Sequence, residues 1–512
     1  MTPGNAGELL SLQANGAKAS KVAIVDGRRR VIYADVLRRA ESLSVSLQER
    51  GVRRGDRVVI FLPRSVEAVV ALFGTWFAGA VAVIANERLR SQQVHHVVEH
   101  SQASCVVTDD RQLLAVPLFP CEQVINIDRE EPRPGRPHAF LTGADLAMLV
   151  YTSGSTGLPK GIMLSHDNLL AGTRIVAGYL HLIEHDVILS VLPFSFDYGL
   201  NQLLTAFFVG ATLVIQRSMF PPDISQTLLR ERITGMAGVP TFWVQLTGRH
   251  SPFLKLVYPD LRYITNSGGR FPESGVRAIR TAHPRLHIFP MYGLTEAFRS
   301  TYLPPDQVDE RPSSMGKAIP EVDILVINEQ GTECAADEIG ELVHCGGTVS
   351  MGYWRDPENT ARMFRPHPLR AHQNGDAERV VFSGDLVKKD ADGFLYYVGR
   401  KDKQIKSRGV RVSPEEIERC IHTSSVVSQV VSFAVTREDG DTDIVAAVVP
   451  ADVSGFREEM LEEFCRNAMP EYMQPRTFWT MREFPLTSSG KPDRCEIERQ
   501  YVAHHRHPAT AS

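Results

Sequence analysis

The stretch Val69 to Ala85, VVALFGTWFAGAVAVIA, is the longest uncharged apolar run in the chain. A run of this kind must be enclosed on every side, by lipid or by protein. A bilayer span needs about 20 consecutive apolar residues. This run falls short, glycines interrupt it, and Glu67 and Glu87 flank it closely. It therefore reads as a buried helix, a turn at Gly79 and a buried strand. A strand that is apolar throughout belongs inside a parallel sheet covered on both faces, so the rest of the chain must supply more strands and the helices that cover them.

It does. RVIYADVLRRAESLSVSLQERGV reads as a strand and an amphipathic helix closed by Gly51; RVVIFLP and ASCVVTD read as short strands. DVILSVLP, GATLVIQ, GMAGVP and LRYITNSGG continue the pattern. Short Val/Ile-rich runs alternating with helices mean βαβ units. Around residues 315–355 the segments shorten and turns multiply, which predicts an antiparallel or barrel-like piece. VGRKDKQIKSRGVRV (398–412) is charged and Gly-punctuated, as a linker is. Beyond it, SPEEIERCIHTS reads as a helix with Ser413 as N-cap and Pro414 at the first position. The fold expected is α/β. A large N-terminal domain of stacked βαβ-type sheets carries a small barrel-like piece, and a small mobile α+β domain follows. The boundaries expected are 1–401, 402–500 and a disordered tail at 501–512.

At 512 residues the chain exceeds what one core usually serves. A net charge of −4 offers no basic field for nucleic acid. The seven cysteines are scattered without a CxxC pair, so neither a zinc site nor a disulfide framework is indicated. The N-terminus lacks a basic segment followed by an apolar core. A cytoplasmic protein with reduced thiols and no membrane span is expected.

Between the two halves of the sheet pattern stands LVYTSGSTGLPKG, Leu149 to Gly161. Gly lets backbone approach a ligand, and successive N–H groups in such turns form anion-binding concavities. Hydroxyls and a lysine add donors and charge, so a polyphosphate is the expected guest. Lys160 is followed by Gly161 rather than Ser or Thr, which excludes the Walker A pattern.

The loop resembles the phosphate-binding signature of the adenylate-forming superfamily, which includes acyl-CoA synthetases, adenylation domains of nonribosomal peptide synthetases, and beetle luciferases. MYGLTEA (291–297), GELVHCGGTVSMGYWRDPENT (340–360), the block 383–418 and PLTSSGKPDR (485–494) resemble its further signatures, in order, over about residues 20–500. The resemblance implies an ATP-dependent, AMP-forming acid–thiol ligase. It would join a carboxylate to the α-phosphate and pass the acyl group to a thiol. Thr152, Ser153, Gly154, Ser155, Thr156, Gly157 and Lys160 would hold the β- and γ-phosphates. Glu296 would bind Mg²⁺, with Thr295 near the α-phosphate. Tyr292 would stack on adenine beside Gly268 and Gly269. Asp385 would take the ribose hydroxyls, assisted by Arg400. Lys491 would bridge the substrate carboxylate and the α-phosphate, offsetting charge on both. Asp402 matches the hinge position about which the small domain turns between half-reactions, and the Gly409 region, Lys406 to Arg411, would face the site in the second state.

The acid pocket in LPFSFDYGLNQLL carries Phe196-Asp197 where amino-acid-activating members carry the same pair, whose aspartate meets the substrate ammonium, though Gly199 stands where those members have Ser. A buried carboxylate without a cation is costly, which favours an amine; an internal Arg or Lys partner is the alternative. The matching pocket positions are Asp197, Tyr198, Asn201, Ala237, Ile264, Asn266, Met291, Arg299, Ser300 and Lys491. Arg299 either binds a second acidic group or neutralises Asp197 and cancels the amine argument. The substrate class expected is a small amino acid, loaded by a stand-alone ligase of secondary metabolism onto the phosphopantetheine of a separate carrier protein. The alternative is an acyl-CoA synthetase using free CoA. No feature supports a luciferase-like oxygenase, and Lys160, Glu296, Asp385, Arg400 and Lys491 together argue against an inactive homologue.

Overall fold

The structure, a computed structural model, describes residues 3–135, 138–152, 159–271, 273–370, 378–401, 405–408, 410–437, 441–452, 455–485 and 492–506. The chain divides into two compact units, with the larger ending at Lys401 and the smaller running from Asp402.

The larger unit holds two mostly parallel sheets. The run Val69–Ala85 supplies the end of a helix, Val66–Phe77, and a strand, Val81–Ile84. Ser65 caps the helix by accepting a hydrogen bond from the Ala68 amide, and Gly79 takes φ +80° to turn the chain into the strand. That strand lies inside a seven-stranded sheet, between Leu146–Thr152 and Arg57–Phe61 and parallel to both. Every residue of the helix except Glu67 is buried, as expected of a helix apolar all round. Gly74 allows it to touch the helix Tyr33–Glu49: a Cβ at Gly74 would lie 2.9 Å from the Ala40 carbonyl oxygen.

The nine-stranded sheet runs in the order Lys317–Ala318, Thr301–Tyr302, His287–Tyr292, Tyr263–Asn266, Gly235–Gly238, Val187–Ser190, Thr212–Ile215, Val22–Asp26 and Arg29–Ile32. The strands from His287–Tyr292 to Val22–Asp26 are parallel, and antiparallel strands close both edges. The expected antiparallel piece is a five-stranded sheet built on the long strand Arg379–Lys389. One side of that strand pairs with Ile339–Gly346; Phe364–Pro366 and Leu395–Arg400 share the other.

The smaller unit contains the hairpin Ile405–Ser407 and Val410–Val412, the helices Pro414–His422, Glu458–Ala468 and Arg494–Arg506, and a three-stranded sheet of Val427–Thr436, Thr442–Pro450 and Thr477–Thr480. Two details differ from expectation. Ser413 stands at the N-cap, yet its hydroxyl donates to Glu415 (2.8 Å) instead of accepting from the helix. Residues 501–506, expected in a disordered tail, continue the last helix; Ile497 and Tyr501 are buried one turn apart, and Tyr501 packs edge-on against Phe433 and Trp479. Residues 507–512 lie outside the described part. Burial pushes the Glu416 carboxyl in the first turn of helix Pro414–His422 up to about 7.

Candidate functional site

In open α/β sheets, ligands sit beyond the carboxyl ends of the parallel strands. Three adjacent strands of the nine-stranded sheet end together here: Gly238 pairs with Asn266, and Asn266 with Pro290. After the first comes Pro240; after the second, Gly268 at φ +83° and Gly269; after the third, the YGLTEA segment. Asn266 donates its amide to the Gly269 carbonyl (2.9 Å), and a Cβ on Gly269 would lie 2.9 Å from Pro240. The two glycines are thus required by the close path of the backbone.

Tyr292, Asp385 and Arg400, expected from three separate motifs, come together. The Tyr292 hydroxyl donates to Asp385 Oδ2, and Arg400 Nη1 pairs with Oδ1 at 2.6 Å. The Asp385 and Arg400 side chains are 2% and 9% exposed, so the pair is shielded from water and a small change in either is felt strongly. The β-sheet sets this contact, since Asp385 and Arg400 are register partners on neighbouring strands. Behind them the Gly384 amide donates to Glu341 (3.0 Å), the Ser383 hydroxyl to the Leu342 carbonyl (2.7 Å) and the Asp385 amide to Ser383 (3.0 Å).

Thr295 and Glu296 are buried in a single 3₁₀ turn, Thr295–Ala297. Glu296 Oε1 accepts from the Tyr353 hydroxyl (2.8 Å), and its carbonyl accepts from the Ser350 amide (2.9 Å). The Lys160 ammonium stands 5.7 Å from the centre of the same Tyr353 ring and 3.3 Å from Asp356. Tyr353 therefore joins the metal-site candidate to the phosphate-loop lysine. Its strand, Gly352–Tyr353, is laid against Lys160–Ser165 in register Tyr353 to Ile162. Burial disfavours charge on Asp356, but hydrogen bonds from the Asn359 amide and side chain, with Lys160, hold its carboxyl below the usual range. Thr152 faces Lys160 across the hairpin. Among the described residues, no group of three or more His, Cys, Asp and Glu side chains is set to hold a metal. A single buried carboxylate such as Glu296 suits Mg²⁺, a hard cation that commonly takes one or two carboxylates and fills its shell with phosphate oxygens and water.

The residues expected to line an acid pocket form the other cluster. Asp197 begins the helix Asp197–Val209, and Asn201 stands one turn further along it. Arg299 follows Phe298, a non-glycine residue at φ +54°, a strained conformation. The Phe298 ring lies over helix His166–Tyr179, where a Cβ at Gly172 would fall 2.3 Å from it. Arg299 Nη1 is 3.3 Å from Asp197 Oδ2, Nη2 donates to the Asp197 carbonyl (3.2 Å), and the guanidinium lies over the Tyr198 ring at 5.1 Å. The two side chains are 3% and 5% exposed. Asp197 has an internal cation, so an amine is not demanded by electrostatics alone. The remaining pocket positions, Tyr198, Ala237, Ile264, Asn266, Met291 and Ser300, are all buried. Tyr198 is hydrogen-bonded to Thr265. Ser300 Oγ is 3.0 Å from His344 Nδ1, whose Nε2 is 2.8 Å from Thr348 Oγ1; burial pushes the His344 imidazole down to about 3.

Sequence reasoning assigned no role to Tyr353, Glu341, Ser383, His344 or Asp356, although Tyr353, Glu341, His344 and Asp356 fall in the block 340–360 and Ser383 in the SGDL motif. Ser153, Gly154, Ser155, Thr156, Gly157, Asp402, Gly409 and Lys491 lie outside the described residues, as do the side chains of Lys406 and Arg411.

The AMP-binding enzyme family model matches residues 10–354, and the AMP-binding enzyme C-terminal domain matches residues 416–491. The chain belongs to the AMP-binding enzyme family. Members are ATP-dependent, adenylate-forming ligases. One of the linear gramicidin synthase subunits of Brevibacillus parabrevis is 32% identical over 94% of this chain. The chain spans only 10%, 6% and 9% of the length of the three linear gramicidin synthase subunits it matches. Long-chain-fatty-acid–CoA ligase of Bacillus subtilis (strain 168) is 25% identical, over 95% of this chain and 92% of its own length. A solved o-succinylbenzoate CoA synthetase (MenE) double mutant from Bacillus subtilis shares the fold, with a TM-score of 0.84 over 96% of this chain and 98% of that one, at 23% identity. No helix among the described residues is long and apolar enough to cross a membrane.

Proposed function

We propose that this family member activates a small amino acid as its acyl-adenylate and transfers it to the phosphopantetheine thiol of a separate carrier protein. The observation that carries this reading is the placement of Asp197. A carboxylate is buried at the start of a pocket helix, beside the C-terminal ends of the sheet. Arg299 Nη1 meets one carboxylate oxygen at 3.3 Å and the Tyr198 amide donates to the other (2.9 Å); a substrate ammonium would share the carboxylate with them. That the homologues include nonribosomal peptide synthetase adenylation domains supports a carrier-bound acceptor. The ion pair with Arg299 and the likeness to a CoA ligase favour a second reading, an acid–CoA ligase using free CoA.

Catalysis asks the chain to bring two anions together, and its residues divide that work. Thr152, Ser153, Gly154, Ser155, Thr156, Gly157 and Lys160 hold the β- and γ-phosphates, and transfer of Lys160 from Asp356 to phosphate accompanies ATP entry. Tyr292 stacks on adenine against Gly268 and Gly269. Asp385, fixed by Arg400, receives the ribose hydroxyls. Glu296 would hold Mg²⁺ while Thr295 meets the α-phosphate; the ion, when bound, supplies positive charge to the phosphates. Lys491 bridges carboxylate and α-phosphate, and Asp402 is the hinge between domains 1–401 and 402–500.

The test is ATP–pyrophosphate exchange over a panel of amino acids, aryl acids and short fatty acids, followed by thioester assays with CoA and with a phosphopantetheinylated carrier protein. Exchange with one amino acid, abolished by Lys491→Ala, and thioester formed only on carrier supports the proposal. Exchange only with acids lacking an amine, and thioester on free CoA, replaces it with the second reading. Asp402→Pro should spare exchange and cripple thioester formation; equal loss of both removes the hinge assignment.

A further inference from the structure

We infer that the acid pocket is shaped for an amino acid bearing a second carboxylate, with Asp197 taking the ammonium and Arg299 and Asn201 the additional acid. This deepens, and rests on, the amino-acid reading above. Among the described pocket residues, two donors are buried without a hydrogen-bond partner: Arg299 Nε and Asn201 Nδ2. Asn201 is 3% exposed and Arg299 2%. A buried donor without an acceptor is costly, and native chains leave few. Both donors belong to the surroundings of Asp197: Asn201 through one turn of helix, Arg299 through the ion pair. An acceptor is orphaned too. Asn266 Oδ1 has no partner while its amide nitrogen is engaged with Gly269.

Charge balance then selects the ligand. The buried Asp197–Arg299 pair is neutral as a unit. A substrate with only an ammonium draws Asp197 away and strands a buried guanidinium. A substrate with only an extra carboxylate draws Arg299 away, and Asp197 keeps the Tyr198 amide on Oδ1 (2.9 Å) but loses that cation. Either outcome breaks one half of a buried ion pair, which is costly. A substrate with neither charge leaves the pair intact and the three orphaned atoms unpaired. A substrate with both opens one ion pair into two, gives Arg299 Nε and Asn201 Nδ2 their acceptor, and gives Asn266 Oδ1 an ammonium hydrogen. The carboxylate that reacts is separate, since it must face the α-phosphate.

The experiment is ATP–pyrophosphate exchange with the full chain on matched acids: aspartate and glutamate, asparagine and glutamine as isosteric amides, alanine, and succinate and glutarate without the amine. The expected result is a kcat/KM for an aminodicarboxylate at least about a hundredfold above its amide and its amine-free analogue. Arg299→Gln should lower exchange with the aminodicarboxylate about a hundredfold and narrow its lead over the amide, a change in selectivity that misfolding alone does not produce. Asp197→Asn should instead narrow the lead over the amine-free diacid. Strong exchange with a neutral amino acid, and none with the aminodicarboxylates, overturns this inference and leaves the amino-acid reading standing. Exchange confined to acids without an amine overturns both.

Discussion

The proposed nucleotide end and the proposed acid end of the larger unit are finished to different degrees. At the nucleotide end, both oxygens of Asp385 are met by protein groups, Arg400 and Tyr292. Glu296 and Lys160 are tied through Tyr353 and Asp356. At the acid end, Arg299, Asn201 and Asn266 keep buried polar atoms with no partner. On the proposed function, β-register preorganises the Asp385–Arg400 part of the first end, while Lys160 still has to leave Asp356 when ATP arrives. On the same proposal, the second keeps its stabilising contacts for the ligand, and affinity for one acid over another is decided there.

The comparison breaks most readily at Asp385. Asp385→Ala removes one partner of the buried Asp385–Arg400 ion pair, which should cost about 3–5 kcal/mol of stability. It should also lower kcat/KM for ATP at least about a hundredfold whatever acid is supplied. Thermal unfolding and exchange with ATP varied check both; an intact ATP response would show that the end is not preorganised as described. At the acid end, Arg299→Gln alone should destabilise the ligand-free chain by about 3 kcal/mol, and adding Asp197→Asn should restore most of it. A double-mutant cycle measures the coupling, and additive losses would mean that the pair does not act as a unit. Gly172→Ala forces a methyl against Phe298 and should cost about 1–3 kcal/mol; selectivity among acids should shift while KM for ATP holds. The smallest effect is expected from Tyr353→Phe, about 1 kcal/mol or less in stability, with exchange slowed at every acid alike.

One more measurement lies outside both ends. Glu416 in the smaller unit titrates near 7 when folded, above its ordinary value. Its contribution to stability is therefore present below the unfolded value and lost as pH rises through about 7. Glu416→Gln should flatten the fall in unfolding midpoint between pH 5 and 8 that the wild type shows.

Much of this was legible in the residues. Apolar runs too short for helices, set between helical patterns, announced the parallel sheets, and Val69–Ala85 resolved into helix, turn and strand as read. Tyr292, Asp385 and Arg400, named from three separate motifs, come together in the structure, two of them as register partners on neighbouring strands. What stayed hidden depends on pairings between segments far apart in the chain. The contact between Arg299 and Asp197, 102 residues earlier, was one of two alternatives the sequence left open, and only the fold makes it. Nothing around Tyr353 says that it will touch Glu296. The helix reaching Arg506 was missed although Ile497 and Tyr501, four residues apart, carry the apolar spacing that anchors it.

Gly172 and Phe298 set a condition on redesign. The guanidinium of Arg299 is aimed by a strained residue that leans on a helix behind the pocket wall. Copying the pocket-lining side chains of a relative into this scaffold therefore transfers only part of the specificity; the missing instruction is a hydrogen atom on a helix outside the pocket. A graft that brings Gly172's counterpart along with the lining residues should carry the donor's preference, and one that omits it should give an enzyme that binds ATP normally and chooses its acid badly.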